Sequence, residues 1–176
     1  MPFEPGLRRS LESEFSLCQP RIEVNVKLQQ LTLFNENKVA RFSVSTALNG
    51  VGQFSDSGCT PLGYHYIRAK IGANSPINTV FAGRRPTGEI YSAKLANNFP
   101  ERDWILTRIM WLSGLEPGYN RLAKVDSMRR YIYIHGTPDS EPMGQPLSHG
   151  CIRMRNKDVM DLFSRVCVGT RVLIKE

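Results

Sequence analysis

The sequence predicts a mostly β domain with one or two α-helices, and three observations carry that expectation. Ile22, Val24 and Val26 alternate with Glu23, Asn25 and Lys27, the period of a strand with one buried face. Leu31–Phe34 and Val39–Ser45 are both β-rich and flank the turn residues Asn35-Glu36-Asn37-Lys38, so they read as a hairpin. Helical spacing of apolar residues occurs only near the two ends. At 176 residues, with no repeat, linker or low-complexity tract, the chain fits one domain with a proper core.

The elements follow in order. Leu7, Leu11 and Phe15 recur every four positions, which predicts a short helix stopped by Pro20. After the strand at 22–26 and the hairpin, a glycine-rich loop leads through Thr60-Pro61-Leu62-Gly63 into a strand at Tyr64–Arg68. From Ala69 to Met128 glycines and prolines interrupt short apolar runs such as Thr79-Val80-Phe81 and Trp104-Ile105-Leu106-Thr107. This middle reads as strands joined by long loops that wall a substrate site. Arg130–Ile134 is a strand that delivers His135 at its end, and Cys151–Met154 is a further short strand. Asn156 is an expected N-cap for a helix over 157–166, whose Val159, Leu162, Phe163 and Val166 share a face. Gly169 stops that helix, and Arg171–Ile174 is the last strand.

Composition excludes some partners and suggests others. No run approaches the roughly 20 apolar residues of a membrane span. The basic N-terminal residues are not followed by an apolar stretch, so no secretory signal is read and a cytoplasmic protein is expected. A periplasmic one follows if a signal has been removed. A net charge of +7 calls for an anionic partner, but the basic residues are scattered in pairs, Arg8-Arg9, Arg84-Arg85 and Arg129-Arg130. Without aromatic–basic interleaving, nucleic acid is not the expected partner; a small substrate bearing carboxylates suits scattered arginines. Cys18, Cys59, Cys151 and Cys167 are widely spaced, and in a reducing compartment three of them read as buried small hydrophobes, Cys167 above all.

Chemistry concentrates in Ser148-His149-Gly150-Cys151-Ile152-Arg153, with His135 upstream. A thiol attacks only as the thiolate, and an adjacent imidazole is the usual means of forming one near neutral pH. Along a straight strand residues two apart lie roughly 7 Å from each other, so Gly150 must let the backbone bend for His149 to reach the sulfur. On this reading His149 is the general base, Ser148 orients its ring, and the Cys151 N–H helps bind an oxyanion. An activated Cys151 should then react with iodoacetamide faster than Cys18, Cys59 or Cys167. A metal site built from His135, His149 and Cys151, with His65 or Cys59, is disfavoured, because structural zinc prefers two to four residues between its ligands. The bland alternative is a turn with a buried thiol.

Taken together and in chain order, the first hairpin, with Gln29 or Gln30 before Leu31, then Thr60-Pro61-Leu62-Gly63, His135-Gly136-Thr137 and the Ser148–Arg153 segment resemble the L,D-transpeptidase catalytic domain. The resemblance implies a β-sandwich-like catalytic domain over 21–176, behind an N-terminal extension or short helix over 1–20. It also implies a cysteine acyl-transfer mechanism on peptidoglycan tetrapeptide stems, with Cys151 as nucleophile and no cofactor or metal. His135 would line the site and help hold substrate or the oxyanion. Gly136 and Arg153 would contact substrate, the guanidinium gripping a stem-peptide carboxylate. The spacer from His135 to Ser148 is shorter than in many cross-linking members. The segments Gly83–Ile90 and Asp103–Arg108 are similar to members without export signals that act on soluble wall fragments. There Arg84, Arg85 and Arg108 are either anion-binding or solvated surface residues. The expected activity is therefore an L,D-carboxypeptidase acting on muropeptides, with cross-linking as the same-family alternative and a basic polyanion- or wall-binding module as the non-enzymatic one. Oligomeric state is not legible.

Overall fold

The computed structural model describes residues 5–176. Helix α1 (Pro5–Leu17) leads into strand β1 (Arg21–Asn25), and the expected hairpin forms as β2 (Gln30–Asn35) and β3 (Lys38–Ser43). Then come β4 (Gly63–Ile71), β5 (Thr79–Ala82), β6 (Arg85–Ile90), α2 (Ala93–Asn98) and β7 (Ile105–Gly114). The chain closes with β8 (Tyr133–Gly136), β9 (Ile152–Met154), α3 (Asn156–Arg165) and β10 (Arg171–Lys175). The fold is mostly β, as expected. The middle of the chain is more regular than its glycines and prolines suggested, because the long loops there are occupied by β5, β6, α2 and a ten-residue β7.

The strands join in the order β3-β2-β1-β10-β4-β7-β5-β6, with β8 and β9 branching off β7. β1–β10 and β8–β9 are parallel and the other pairs antiparallel. The branch is made at a register break. β7 pairs with β5 through Ile105 and Leu106 and with β8 through Leu106 and Ile109 to Trp111, and the register shift along β8 falls between Leu106 and Ile109, where Thr107 has a φ of 68°. Thr107 accepts from the Asn78 N–H and donates to Asn156 Oδ1, so the break is held by side-chain bonds instead of ladder bonds.

One core serves both branches. Ile22, Val24, Leu31, Leu33, Ile67, Met110, Leu112, Val172 and Ile174 from the main sheet pack with Ile134, Ile152 and Met154, and α3 covers them with Val159, Leu162 and Phe163. Each of those three helix side chains contributes about 1.5–3 kcal/mol by leaving water. Asn156 is not the cap of α3. Arg155 is the capping position, and Asn156 is fully buried, its amide donating to Thr137 O and its carbonyl oxygen accepting from Thr107. It ties α3, β7 and the end of β8 together. Helix α1 lies apart from this core, resting on Tyr64 through Leu11 and an edge-on Phe15 ring. Cys167, expected inside, is exposed.

Candidate active site

Two parallel strands and one tight turn set the site. Because β8 and β9 pair His135 with Arg153 and Ile134 with Ile152, His135 and Arg153 emerge on one face; Tyr133 and Cys151 precede them on that same face by the two-residue period of a strand. On its other side the Cys151 segment is held by residues 45–48. Ser45 and Arg153 exchange backbone bonds, Ser148 N–H donates to Thr46 O, and Leu48 N–H to Ser148 O. The turn between needs glycine. Gly150 has φ 131°, and a Cβ there would lie 3.3 Å from both Cys59 O and Ile132 Cδ1. Thr60 closes the arrangement, accepting from the Ala47 N–H and donating to Gly150 O, which gives the Thr-Pro-Leu-Gly turn a structural purpose.

Cys151 is half-buried at the floor of a cleft of about 520 Å³ that His135, Tyr133, Asp103, Arg153, Arg130 and Arg84 help to line. Its Sγ accepts from the Tyr133 N–H at 3.3 Å and reaches Tyr131 O at 3.4 Å. Burial pushes the thiol up to about 12; the Tyr133 N–H and the Arg153 and Arg130 charges favour the thiolate, while the Asp103 carboxylate opposes it. The resting sulfur is thus a neutral thiol, contrary to the thiolate expected from the sequence.

His135 is buried and has one fixed tautomer. Its Nδ1 is 2.8 Å from Gly136 O, an acceptor only, so Nδ1 carries the proton and Nε2 keeps its lone pair. Burial holds its pKa below the ordinary histidine value despite Gly136 O and Asp103, which keeps the ring neutral. His149, by contrast, is largely in solvent, 76% exposed, with Nδ1 turned to Asp103 Oδ2 at 3.5 Å. The Ser148 hydroxyl does not orient it; it donates to Cys151 O and accepts from the Gly150 N–H, bracing the turn. Burial works against ionising Asp103, but the Arg153 guanidinium and the hydrogen bond to His149 favour the carboxylate, and the carboxyl is held below the usual range.

Residues 19–174 match the YkuD family, the L,D-transpeptidase catalytic domain. The chain belongs to that family. YqjB of Bacillus subtilis, whose name places it among the L,D-transpeptidases, is 54% identical over 47 residues, 27% of each chain, so the match spans about a quarter of that relative. An Enterococcus faecium L,D-transpeptidase with one cysteine replaced by serine superposes with a TM-score of 0.54 at 18% identity, covering 89% of this chain and 50% of that one. The catalytic domain of the E. faecium enzyme acylated by ertapenem gives 0.50 at 20% identity, covering 89% and 96%. At these identities the two structures establish the fold.

Within the L,D-transpeptidase domain, the roles expected for four residues move. His135, read as a lining residue, has the buried, oriented ring a base requires, whereas His149 is exposed and turns its Nδ1 to the Asp103 carboxylate. Gly136, read as touching substrate, is buried and orients His135 through its carbonyl; a Cβ there would meet Leu106 O and Asn156 Oδ1 at 2.6 Å. Arg153, read as gripping substrate, is already engaged by Asp103 Oδ1 at 2.7 Å and by Leu147 O. Asp103 is not legible as a site residue, since a lone aspartate before a strand carries no local signal of the cationic groups it meets in space. His65 is bonded at both ring nitrogens, to Gly63 O and Ser127 Oγ, and belongs to the fold.

Proposed function

We propose that this domain cleaves the bond between the L-centre of the third stem residue and the terminal D-alanine of peptidoglycan tetrapeptides, with water as the main acceptor. The observation that carries the reading is Cys151, opening on a cleft beside a neutral His135 whose Nε2 lone pair is uncommitted. Cys151 Sγ attacks the carbonyl carbon as Nε2 takes the thiol proton, and the Cys151 N–H receives the developing oxyanion. Collapse breaks the C–N bond, and His135 returns the proton to the departing D-alanine amine. The thioester is then hydrolysed by a water that the same ring deprotonates, restoring thiol and neutral imidazole. A thiol that is neutral at rest requires this coupling of proton transfer to attack.

An amine in place of water would give an L,D cross-link, the reading the relatives' names favour. Hydrolysis needs no polymeric acceptor, which suits a recycling role on soluble muropeptides in the cytoplasm; cell fractionation tests that location. Incubation with a disaccharide tetrapeptide, followed by mass spectrometry, should show free D-alanine and tripeptide, and Cys151→Ala should abolish both. Dimeric muropeptides on adding an acceptor stem would assign cross-linking instead. No product of either kind from folded protein with a free thiol overturns the enzymatic reading.

A further inference from the structure

Three arginines line the Cys151 cleft, and their donors are not equally occupied. Arg130 is spent on the protein: its two terminal nitrogens donate to Gly52 O, Gln53 O, Ser57 Oγ and Cys59 O. Arg153 is held by Asp103 and Leu147 O. Among the described residues Arg84 donates only to Tyr133 Oη, at 3.1 Å, which leaves most of its five N–H groups for something else. Its guanidinium is nonetheless fixed in place, stacked 4.6 Å from the Trp111 ring centroid and 5.0 Å from that of Tyr131.

The backbone beneath Arg84 is an independent sign. Ala82 pairs with Arg85, so Gly83-Arg84 is a two-residue hairpin turn between β5 and β6, with φ of 53° and 66°. Left-handed backbone at both positions normally selects glycine or asparagine at the second, and an arginine there is strained. Strain kept at a cleft wall, on a side chain with idle donors, asks for a function.

We propose that Arg84 is the carboxylate receptor of the cleft, making a forked, charge-assisted pair with a carboxylate of the donor stem peptide. Two carboxylates of such a stem fit this chemistry: the terminal one on the leaving residue, and the side-chain one of a diaminodiacid at the third position. The inference rests on the stem-peptide reading above, extending it from the bond cleaved to the group that selects the substrate.

Arg84→Gly tests it without threatening the fold, because glycine relaxes the turn; the melting temperature should hold or rise. With a tetrapeptide stem, kcat/KM should fall about 10- to 100-fold, mainly through KM, as for loss of a charged hydrogen-bonded pair. Arg84→Lys should recover only part, since an ammonium lacks the planar fork. Two further substrates locate the carboxylate. If it is the terminal one, a C-terminal carboxamide makes wild type and Arg84→Gly equal; if the side-chain one, a lysine third residue does so. Titrating the tetrapeptide into Cys151→Ala by calorimetry, with and without Arg84→Gly, separates this inference from the catalytic one. Arg84-dependent binding by an enzyme that turns nothing over leaves the receptor standing and removes the reaction. Equal affinity in the two calorimetric proteins, or no binding by either, overturns the receptor.

Discussion

Cys151 is surrounded by opposing influences, and their balance decides how the residue works. Burial and the Asp103 carboxylate keep its proton on; the Tyr133 N–H, Arg153 and Arg130 work the other way and lose, leaving the thiol at about 12. Alkylation of the native protein near neutral pH should therefore reach exposed Cys167 before Cys151, the reverse of what the adjacency of His149 suggests. Peptide mapping after brief iodoacetamide treatment reads the order directly. In the proposed mechanism the base is His135 and not His149, so His135→Gln should lower kcat by about 10²–10⁴-fold, while His149→Ala should change it about tenfold or less. Equal losses would return His149 to the base position. Burial lowers the His135 pKa, so kcat/KM should decline as pH drops beneath the ordinary histidine value of 6.5 and should show no alkaline limb from a thiolate near neutrality.

Among the elements, the branch at β7 does most to place the reactive groups. It lets one sheet send β5 and β6 to one wall of the cleft and β8 and β9 to its floor. Thr107 and Asn156 lock it from within. Replacing Asn156 by Ala strands the buried Thr137 carbonyl and Thr107 hydroxyl, each at about 1–3 kcal/mol. Urea unfolding should register a loss of about 2–6 kcal/mol, with kcat falling as well because Gly136 and His135 lie beside the lock. A loss of kcat without loss of stability would mean that Asn156 acts on the site by another route.

For the whole molecule, buried histidines link stability to acid. His65, fully buried and bonded at both nitrogens, is held at about 4 against 6.5 in an unfolded chain, chiefly by burial. Below pH 6.5 the unfolded chain gains a proton that the folded one refuses. Stability is thus full above 6.5, falls as pH drops, and has lost this contribution by about pH 4, on the order of 3 kcal/mol. His135 adds in the same direction. Unfolding free energies measured across that window should slope accordingly, and His65→Gln should flatten the slope; an unchanged slope would place the linkage elsewhere.

Residues near in sequence determined a good deal by themselves. The alternation at 22–26, the turn at 35–38, the apolar face of α3 and the reactive Ser148–Cys151 turn are local patterns, each legible from period, turn chemistry and residue type. What needed the tertiary structure was every choice among partners. His135 and His149 are equally imidazoles on paper, and the burial, the carbonyl and the carboxylate that tell them apart cannot be weighed until strands pair.

 Asp103 stands 32 residues before His135 and 46 before His149, and only the fold sets which ring it faces and which ring is taken out of water. The same holds for the arginines: Arg84, Arg130 and Arg153 are alike as residues and differ in which donors the surrounding backbone has already claimed. Local pattern follows from chain stiffness and residue type, whereas desolvation and hydrogen-bond occupancy are properties of neighbours that the chain brings together only on folding.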